Sequence, residues 1–542
     1  MEFLDQGLLA GVDWLIIGVY FVAIFAAAIW AYQRERLGGE TSADYFLAGR
    51  DSGWFVIGAS LFASNIGSEH LVGLAGTGAA SGVAVAQFEI LAAFMLLLLG
   101  WVFVPFYLRS GVFTMPEFLE RRYSPAARWY LAVVSVIGYV LTKISVTIAA
   151  GGIVFEALMG IDFWTGALIV VVATGVYTIF GGLKAVLVTD AIQMFVLLGG
   201  AIAVLFIGLD AVGGWEAMRT AAAPGFMDLW KPADDPNFPW TGILFGAPIL
   251  GVWYWCTDQF IVQRTLAARD LKQARRGTIF AGFLKILPLF VFVVPGIIAH
   301  LLAESGALQL DDPDQALPAL IGTLLPAGIR GLVVAGLLAA LMSSLSSVFN
   351  STSTLITWDL YKKWRPEASE KKLVWVGRIS TGVLVLFGLA WIPLMELISG
   401  QLYQYIQSVQ AYIAPPIAAV FLLGVFWSRI NSTGAMWSLV SGFVLGMSRL
   451  VLEINKPRLD GPLLYFASIN FLHFAAILFG ISVVILVVVS MLTGRPDREK
   501  IDGLTYGTTV KPAERPSWMT VEAALSAALV VLVVICWLYF AE

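Results

Sequence analysis

The sequence predicts an all-α polytopic membrane protein with about fourteen transmembrane helices, and two of its properties carry that prediction. Of the 542 residues, 59% are hydrophobic and 13% are charged, whereas ordinary soluble domains hold roughly 25% charged residues. The apolar residues also gather into runs of about 20, each long enough to cross the hydrocarbon core of a bilayer. With soft boundaries, these runs lie at 12–32, 54–80, 82–108, 129–157, 162–180, 186–209, 240–259, 278–302, 330–358, 374–398, 401–427, 432–452, 463–492 and 519–540.

The first run is expected to remain in the mature protein, because no basic region followed by a cleavage site precedes it. Most of the 33 basic residues fall in loops on the side that this first span reaches. By the positive-inside rule that side is cytoplasmic, which places both termini outside the plasma membrane. The basic run Arg264–Arg276 is expected in a cytoplasmic loop, held by lipid phosphate.

Several function classes are excluded by what the sequence lacks. It holds no Gly-Lys-Ser/Thr loop for a nucleotide, which argues against a pump driven by ATP. We find no nucleophile–base pair and no cofactor motif, so an enzyme is not expected, and nothing indicates a nucleic-acid partner. Cys256 and Cys536 both lie in apolar runs, and the three histidines are scattered, so neither a disulfide nor a metal centre is indicated.

Two spans are unusually polar. The second carries several glycines and a cluster of polar side chains: Ser64, Asn65, Ser68, Glu69 and His70. The span at 240–259 turns from aromatic to polar over Trp253–Gln259. Because lipid does not tolerate such groups on an exposed helix, these segments should line a cavity or lie buried in protein. Irregular spans at matching positions of two halves are typical of inverted repeats that meet at the binding site of a secondary transporter.

The organisation predicted from these spans has four parts, with the two repeats at its centre. An extra N-terminal helix and its cytoplasmic loop precede them, and three additional helices follow them. The parts comprise residues 1–53, 54–210, 211–427 and 428–542. Each repeat holds five helices, so the second enters the membrane in the opposite orientation to the first.

Five motifs resemble those of the sodium/glucose cotransporters in the solute:sodium symporter family. The likeness extends from about residue 40 to 495 and is strongest toward the sugar-carrying branch. The resemblance implies the inverted-repeat fold of the amino-acid/sodium symporters. The motifs lie at Ala63–Ser68, Gly73–Gly82, Trp253–Arg264, Met342–Ser351 and Tyr405–Ala419.

A sodium site is implied where the segments at 54–80 and 330–358 meet. Its ligands would be three backbone carbonyls and two hydroxyls, from Ala63, Ile66, Ala340, Ser343 and Ser344. Neutral oxygen ligands suit a hard cation that must also be released. The residues alone also fit a second interpretation, in which the two serines only allow close helix packing. Asp190 resembles an acidic position linked to ion release, and otherwise would be an interfacial carboxylate.

The resemblance also implies a sugar site and its gates. The substrate-binding residues would be Asn65, His70, Glu89, Tyr254, Trp255, Lys285 and Gln407. Each type suits a polyol, whose hydroxyls both donate and accept hydrogen bonds while its apolar face packs on a ring. Tyr254 would also close the inner side, and Leu74, Phe88 and Tyr403 would form an apolar outer lid. Lys285 and Glu89 could alternatively satisfy one another without touching substrate.

The chain departs from the family pattern at three positions. Gly251 replaces a polar side chain that sugar-carrying relatives direct toward the substrate. Glu69 adds a carboxylate without an assigned role, and Ser346 stands where some members place a threonine tied to a second sodium site. Lys143 is a further intramembrane cation, for which the sequence names no partner.

The sequence therefore predicts a symporter that imports a monosaccharide of the glucose or galactose type by alternating access, with Na⁺ as the co-transported ion. Its partners would be the sugar, sodium and the lipid bilayer, and the oligomeric state stays open. Two alternatives remain. The substrate could be myo-inositol or another polyol, or the protein could be a sodium-linked sugar sensor or channel that does not accumulate sugar.

Overall fold

The computed structural model describes residues 8–36, 50–395, 402–509 and 520–541, and these residues are helical almost throughout. Extended pairing among them is limited to two isolated bridges, Ser52–Ala268 and Lys231–Pro239. The fold is therefore all-α, as predicted. Within the described ranges, eleven helical runs are long and apolar enough to cross a membrane. The count of fourteen stays a prediction.

The first nine helices reach residue 211. They are α1 (Gly11–Arg36), α2 (Trp54–Asn65), α3 (Ser68–Ser81), α4 (Gln87–Leu98), α5 (Val104–Ser110), α6 (Met115–Arg122), α7 (Pro125–Tyr139), α8 (Ser145–Met159) and α9 (Phe163–Ala211). The remaining helices follow in two groups. The first group is α10 (Trp215–Ala221), α11 (Trp240–Phe245), α12 (Ala247–Gly251), α13 (Gln259–Leu266), α14 (Leu271–Leu284), α15 (Val294–Glu304) and α16 (Ala316–Leu324). The second group is α17 (Ile329–Thr354), α18 (Lys362–Trp364), α19 (Glu370–Met395), α20 (Leu402–Phe426), α21 (Ser432–Ile454), α22 (Gly461–Ser468), α23 (Phe471–Leu492), α24 (Tyr506–Thr509) and α25 (Val521–Tyr539).

One predicted helix boundary is absent. The spans expected at 162–180 and 186–209 both lie in α9, which runs for 49 residues without a break. At 1.5 Å per residue such a helix is about 70 Å long, more than twice the thickness of a hydrocarbon core. The stretch holds no proline, and its glycines alone do not end a helix.

Both unusual spans are interrupted helices. The chain leaves α2 at Ile66, whose backbone is no longer helical, passes through an extended Gly67 and resumes as α3. The second interruption is at Asp258, whose extended backbone separates a π turn at Val252–Thr257 from α13. In these two spans the polar residues and glycines therefore coincide with helix breaks, whereas those in α9 do not.

Several helices near these breaks also pass through π turns. In addition to the turn at Val252–Thr257, π turns are found at Leu99–Phe103, Val140–Ile144, Leu289–Val293 and Leu355–Tyr361. Such turns are rare in proteins and concentrate at functional sites.

The backbones of α3 and α15 pack directly against each other. A Cβ at Gly296 of α15 would lie 1.9 Å from the Ala75 carbonyl oxygen. A Cβ at Gly78 of α3 would lie 2.6 Å from the Val293 carbonyl oxygen. Glycine at both positions therefore permits the close approach.

We expect Gly296→Ala to lower the thermal stability of the purified protein. Alanine stabilises a helix by about 1 kcal/mol relative to glycine, but here its methyl group would overlap with backbone atoms, and overpacking typically costs about 1–3 kcal/mol. Gly480→Ala in α23 is the matched control, because nothing lies within 4 Å of its Cβ position. Thermal denaturation in detergent should show a loss for Gly296→Ala and no loss for Gly480→Ala. Equal melting temperatures would contradict this account.

Candidate functional site

A cavity lies between the two broken helices. Its lining comes mainly from α2, α3, α4, α12 with the π turn that follows, and α20. Six of the seven predicted substrate-binding residues line it: Asn65, His70, Glu89, Tyr254, Trp255 and Gln407.

Lys285, the seventh predicted residue, lies behind the lining. Its ammonium group donates to the carboxylate of Glu89 and to the side-chain oxygen of Asn65. The side chains of Lys285 and Glu89 are 1% and 4% exposed, so each charge depends on the other for compensation. His70 Nε2 lies 3.7 Å from the second oxygen of Glu89. Glu89 therefore has a cationic partner and also faces the cavity.

Tyr254 lines the cavity. Its hydroxyl accepts a 2.8 Å hydrogen bond from Asn65 Nδ2. The ammonium group of Lys143 lies 4.0 Å from the centroid of the Tyr254 ring and 3.8 Å from that of Phe260. Lys143, for which the sequence named no partner, is thus held by two aromatic rings and lines the cavity.

Two of the three residues predicted to form an outer lid line the cavity. Phe88 and Tyr403 line the cavity with their rings 6.0 Å apart, whereas Leu74 is fully buried in α3 and does not belong to the lining. Two further rings complete the aromatic cluster. Phe238 and Phe471 lie 6.1 Å and 6.5 Å from Phe88. They come from a loop and from α23, far away in the sequence, and no local pattern marked them.

The break in α2 frees backbone oxygens at the predicted sodium site. The N–H groups that would bond Ala63 and Ile66 in a continuous helix belong to Gly67 and His70. Instead, Gly67 donates to Asn65 at 3.0 Å and His70 donates to Gly67 at 3.0 Å. The Ala63 and Ile66 carbonyls thereby lose their helical partners at a buried position, where a cation would supply one.

Two hydroxyls from α17 reach this region. Ser344 donates to the Ser64 carbonyl at 3.1 Å, and Ser343 donates to Asp190 Oδ1 at 2.5 Å. A hydroxyl that donates its hydrogen keeps lone pairs for a cation, so these bonds fit both helix packing and ion binding. The Ala340 carbonyl lies one turn earlier on the same helix. Ser346 donates to the Ser343 carbonyl in its own helix at 3.0 Å.

Asp190 is fully buried within the protein. Besides the bond from Ser343, its Oδ2 accepts hydrogen bonds from Ser60 at 2.6 Å and from Ser64 at 2.9 Å. Those two hydroxyls in turn accept from Nε of Arg264 at 3.1 Å and 2.8 Å. Two serines thus connect the guanidinium group to the carboxylate.

The prediction that Arg264 belongs to a lipid-facing loop is wrong. Arg264 lies in α13 and is completely buried. The basic run therefore begins inside the protein, where hydroxyls of α2 bind its first member. The side chain of Glu69 lies outside the described part of the structure, so no role is assigned to it.

Comparison with known proteins identifies the family. The model of the Sodium:solute symporter family matches residues 45–442. The chain belongs to this family. Sodium/glucose cotransporter 4 of Danio rerio is 40% identical, over 94% of this chain and 82% of that protein. Sodium/glucose cotransporter 1 of Oryctolagus cuniculus is 41% identical over 89% and 79%, and Sodium/myo-inositol cotransporter 2 of Homo sapiens is 40% identical over 97% and 83%.

Solved structures agree on the fold. A Na⁺-coupled sialic acid symporter superposes with a TM-score of 0.75 at 22% identity, covering 90% of this chain and 99% of that one. A transporter of the nucleobase-cation-symport-1 family gives a TM-score of 0.54 at 13% identity, over 85% and 97%. Membership of the family makes the protein a multi-pass, sodium-coupled symporter, and its relatives are cotransporters rather than enzymes.

We expect Lys285→Met to destabilise the protein strongly, because removing one member of a buried ion pair costs about 3–5 kcal/mol. The double variant Glu89→Gln/Lys285→Met removes both charges and should recover most of the unfolding free energy without recovering uptake. Arg121→Met is the control. Its pair with Glu117 is partly exposed, and such pairs contribute about 0–1 kcal/mol. If the double variant recovers substrate uptake, the ion pair of Lys285 and Glu89 has only a structural role.

Proposed function

We propose that this symporter imports a neutral monosaccharide of the glucose or galactose type. The carrying observation is the cavity lining, which joins an ion-paired carboxylate, an imidazole and three side-chain amides with aromatic rings. Because each sugar hydroxyl both donates and accepts, a site of mixed donors and acceptors suits it. The rings of Trp255 and Tyr254 would pack on the apolar face of the sugar.

The proposed mechanism is alternating access between two inverted repeats, with cytoplasmic basic loops and both termini outside. Sodium would bind first between α2 and α17, at Ala63, Ile66, Ala340, Ser343 and Ser344. Binding there fixes the break in α2, on which Asn65 is the last helical residue. Because this ion site adjoins Asn65, a proposed substrate ligand, sodium binding and sugar binding are coupled. The aromatic lid then closes, and displacement of Tyr254 opens the way to the cytoplasm.

The energy available matches import against a gradient. Moving one Na⁺ inward contributes about 2.3 kcal/mol per 100 mV of membrane potential, and a tenfold concentration gradient adds about 1.4 kcal/mol. One ion per sugar therefore supports an accumulation of several hundred-fold. The Asp190 cluster, with Ser343 and Ser346 close by, supports a release position or a second sodium site.

The second candidate substrate is myo-inositol. A cotransporter named for it is as similar to this chain as those named for glucose, and its ring of hydroxyls would meet the same donors and acceptors. A sugar sensor or channel is a third outcome, distinguished from a symporter by its failure to accumulate substrate.

Uptake into proteoliposomes tests these proposals. With an inward Na⁺ gradient, radiolabelled glucose or galactose should accumulate above equilibrium, whereas a matched K⁺ gradient should give none. Gln407→Ala and Ser344→Ala should each reduce uptake about fivefold to a hundredfold, since the loss of a hydrogen-bonding partner inside the protein costs about 1–3 kcal/mol. Gln404→Ala in α20 and Ser441→Ala in α21 serve as controls, because neither residue lines the cavity. Accumulation of myo-inositol alone would replace the substrate, and equilibration without accumulation would indicate a sensor or channel.

Asp190→Asn should impair sodium-driven transport more than sugar binding. The amide cannot replace a carboxylate that accepts three hydroxyl hydrogen bonds, and bonds to a charged group contribute about 1.5–3 kcal/mol each. We expect maximal uptake to fall at least tenfold while the half-saturating sugar concentration at high Na⁺ changes little. Measuring uptake against Na⁺ and against sugar separates the two effects. An unchanged rate with weakened sugar binding would exclude an ion role for Asp190.

A further inference from the structure

The last helix, α25, is hydrogen-bonded to the α4 segment near both of its ends, and each time the donor is the N–H of a tryptophan indole. Trp101, in the π turn that follows α4, donates to Ser526 Oγ of α25 at 3.0 Å. Trp537, near the C-terminal end of α25, donates to Oε1 of Gln87, the first residue of α4, at 2.9 Å. The two helices therefore run antiparallel, and Trp537 meets the end of α4 that lies beside the lid.

Gln87 is fully buried, and both ends of its amide are bonded. Its Nε2 donates to the Leu229 carbonyl at 3.3 Å. Leu229 in turn donates its backbone N–H at 3.0 Å to the carbonyl of Phe540, the residue that follows α25. Three hydrogen bonds thus join the start of α4, the loop before α11 and the end of α25. Since an unpaired buried amide is costly, each of these parts restricts the position of the other two.

Aromatic packing supports the same junction. The ring of Trp537 lies 5.5 Å from that of Phe94 in α4 and 5.5 Å from that of Trp230 in the loop. Aromatic pairs at such separations add stability beyond the area that they bury. A phenylalanine at position 537 would keep ring contacts of this kind and remove only the N–H donor.

Two parts of the aromatic cluster are connected to this junction. Gln87 directly precedes Phe88 and Glu89, which both line the cavity. Leu229 belongs to the loop that carries Phe238, whose ring lies 6.1 Å from that of Phe88. A shift of the junction would therefore displace a ring of the lid, a neighbouring ring and a proposed substrate ligand together.

We propose that α25 is part of the outer gate and that Trp537 is its positioning residue. Trp537 does not line the cavity, so it acts through Gln87, which it holds where Phe88 covers the cavity and Glu89 meets the substrate. When the binding arrangement is populated only in part, the apparent affinity falls in proportion. Loss of the bond to Gln87 therefore weakens sugar binding. This inference rests on the proposed sugar symport and adds the last helix to its gate.

Trp537→Phe tests the hydrogen bond, because it keeps an aromatic ring and removes the donor. We expect the half-saturating sugar concentration for Na⁺-driven uptake into proteoliposomes to rise about three- to tenfold, as for the loss of one hydrogen bond. The half-saturating Na⁺ concentration at saturating sugar should stay within about twofold, because the proposed ion ligands lie on α2 and α17 and not on α4 or α25. An unchanged sugar dependence would overturn the proposal.

Trp101→Phe is the matched control. It removes the same kind of donor from the same pair of segments, at the other end of α4, and Trp101 does not line the cavity. Thermal denaturation in detergent should show similar losses for both variants, whereas only Trp537→Phe should raise the half-saturating sugar concentration. An equal rise in both variants would mean that sugar binding depends on the packing of α25 in general, and the assignment to Trp537 and Gln87 would be wrong.

A double variant tests whether Trp537 acts through Gln87. Gln87→Leu removes the acceptor and keeps a side chain of similar size. Adding Trp537→Phe should raise the half-saturating sugar concentration no further than Gln87→Leu alone, because the two residues share one bond. Effects that multiply in the double variant would contradict the assignment. Should Gln87→Leu fail to fold, judged by size-exclusion chromatography, the comparison of Trp537→Phe with Trp101→Phe still decides the question.

The outcomes separate this inference from the function on which it rests. If the wild type accumulates glucose and Trp537→Phe has the same sugar dependence, sugar symport stands and only the gate assignment falls. If the wild type accumulates myo-inositol instead, the substrate proposal falls, and the same ratios measured with myo-inositol test the gate. If it accumulates neither with Na⁺, the proposed function falls and this inference with it.

Discussion

Two helix interruptions at membrane depth impose the main constraint on this structure. Backbone groups freed inside a bilayer must find partners within the protein. At the second break, Tyr107 donates to the Cys256 carbonyl at 2.7 Å, and Tyr139 donates to the Asp258 carboxylate. At the first break, Ser344 from α17 bonds the Ser64 carbonyl. The surrounding helices are therefore placed where they satisfy the breaks, and the cavity and the proposed ion site lie beside those breaks.

Much of the cavity could be predicted because its residues conflict with their surroundings. Asn65, Glu89 and Lys285 are polar or charged groups within apolar runs, and such groups are retained in membranes only where they are paired or functional. Both helix breaks could be predicted for the same reason. The family resemblance then narrowed the residues further, although Leu74, which it assigned to a lid, does not line the cavity.

The parts that could not be predicted depend on contacts between distant segments. Arg264 follows a polar stretch and precedes further basic residues, so its local sequence favours a loop. Only the hydroxyls of Ser60 and Ser64 and the carboxylate of Asp190 explain its burial. Phe471 lies in a helix outside the predicted repeats, and yet its ring stacks on that of Phe88. Gly251 was recognisable as a departure from the family pattern. Its neighbour Met95, whose Cγ would lie 2.8 Å from a Cβ at position 251, comes from α4, and spacing along the chain gives no sign of that contact.

The pairing of Lys285 with Glu89 has an electrical consequence. Because the two opposite charges are held together, the pair moves almost no net charge in the single step in which the site changes access. Over a complete cycle all fixed charges return to their starting positions, so for any uncharged substrate the charge carried across the bilayer is that of the accompanying cations. The driving force therefore follows the membrane voltage, at about 2.3 kcal/mol per transported charge and 100 mV.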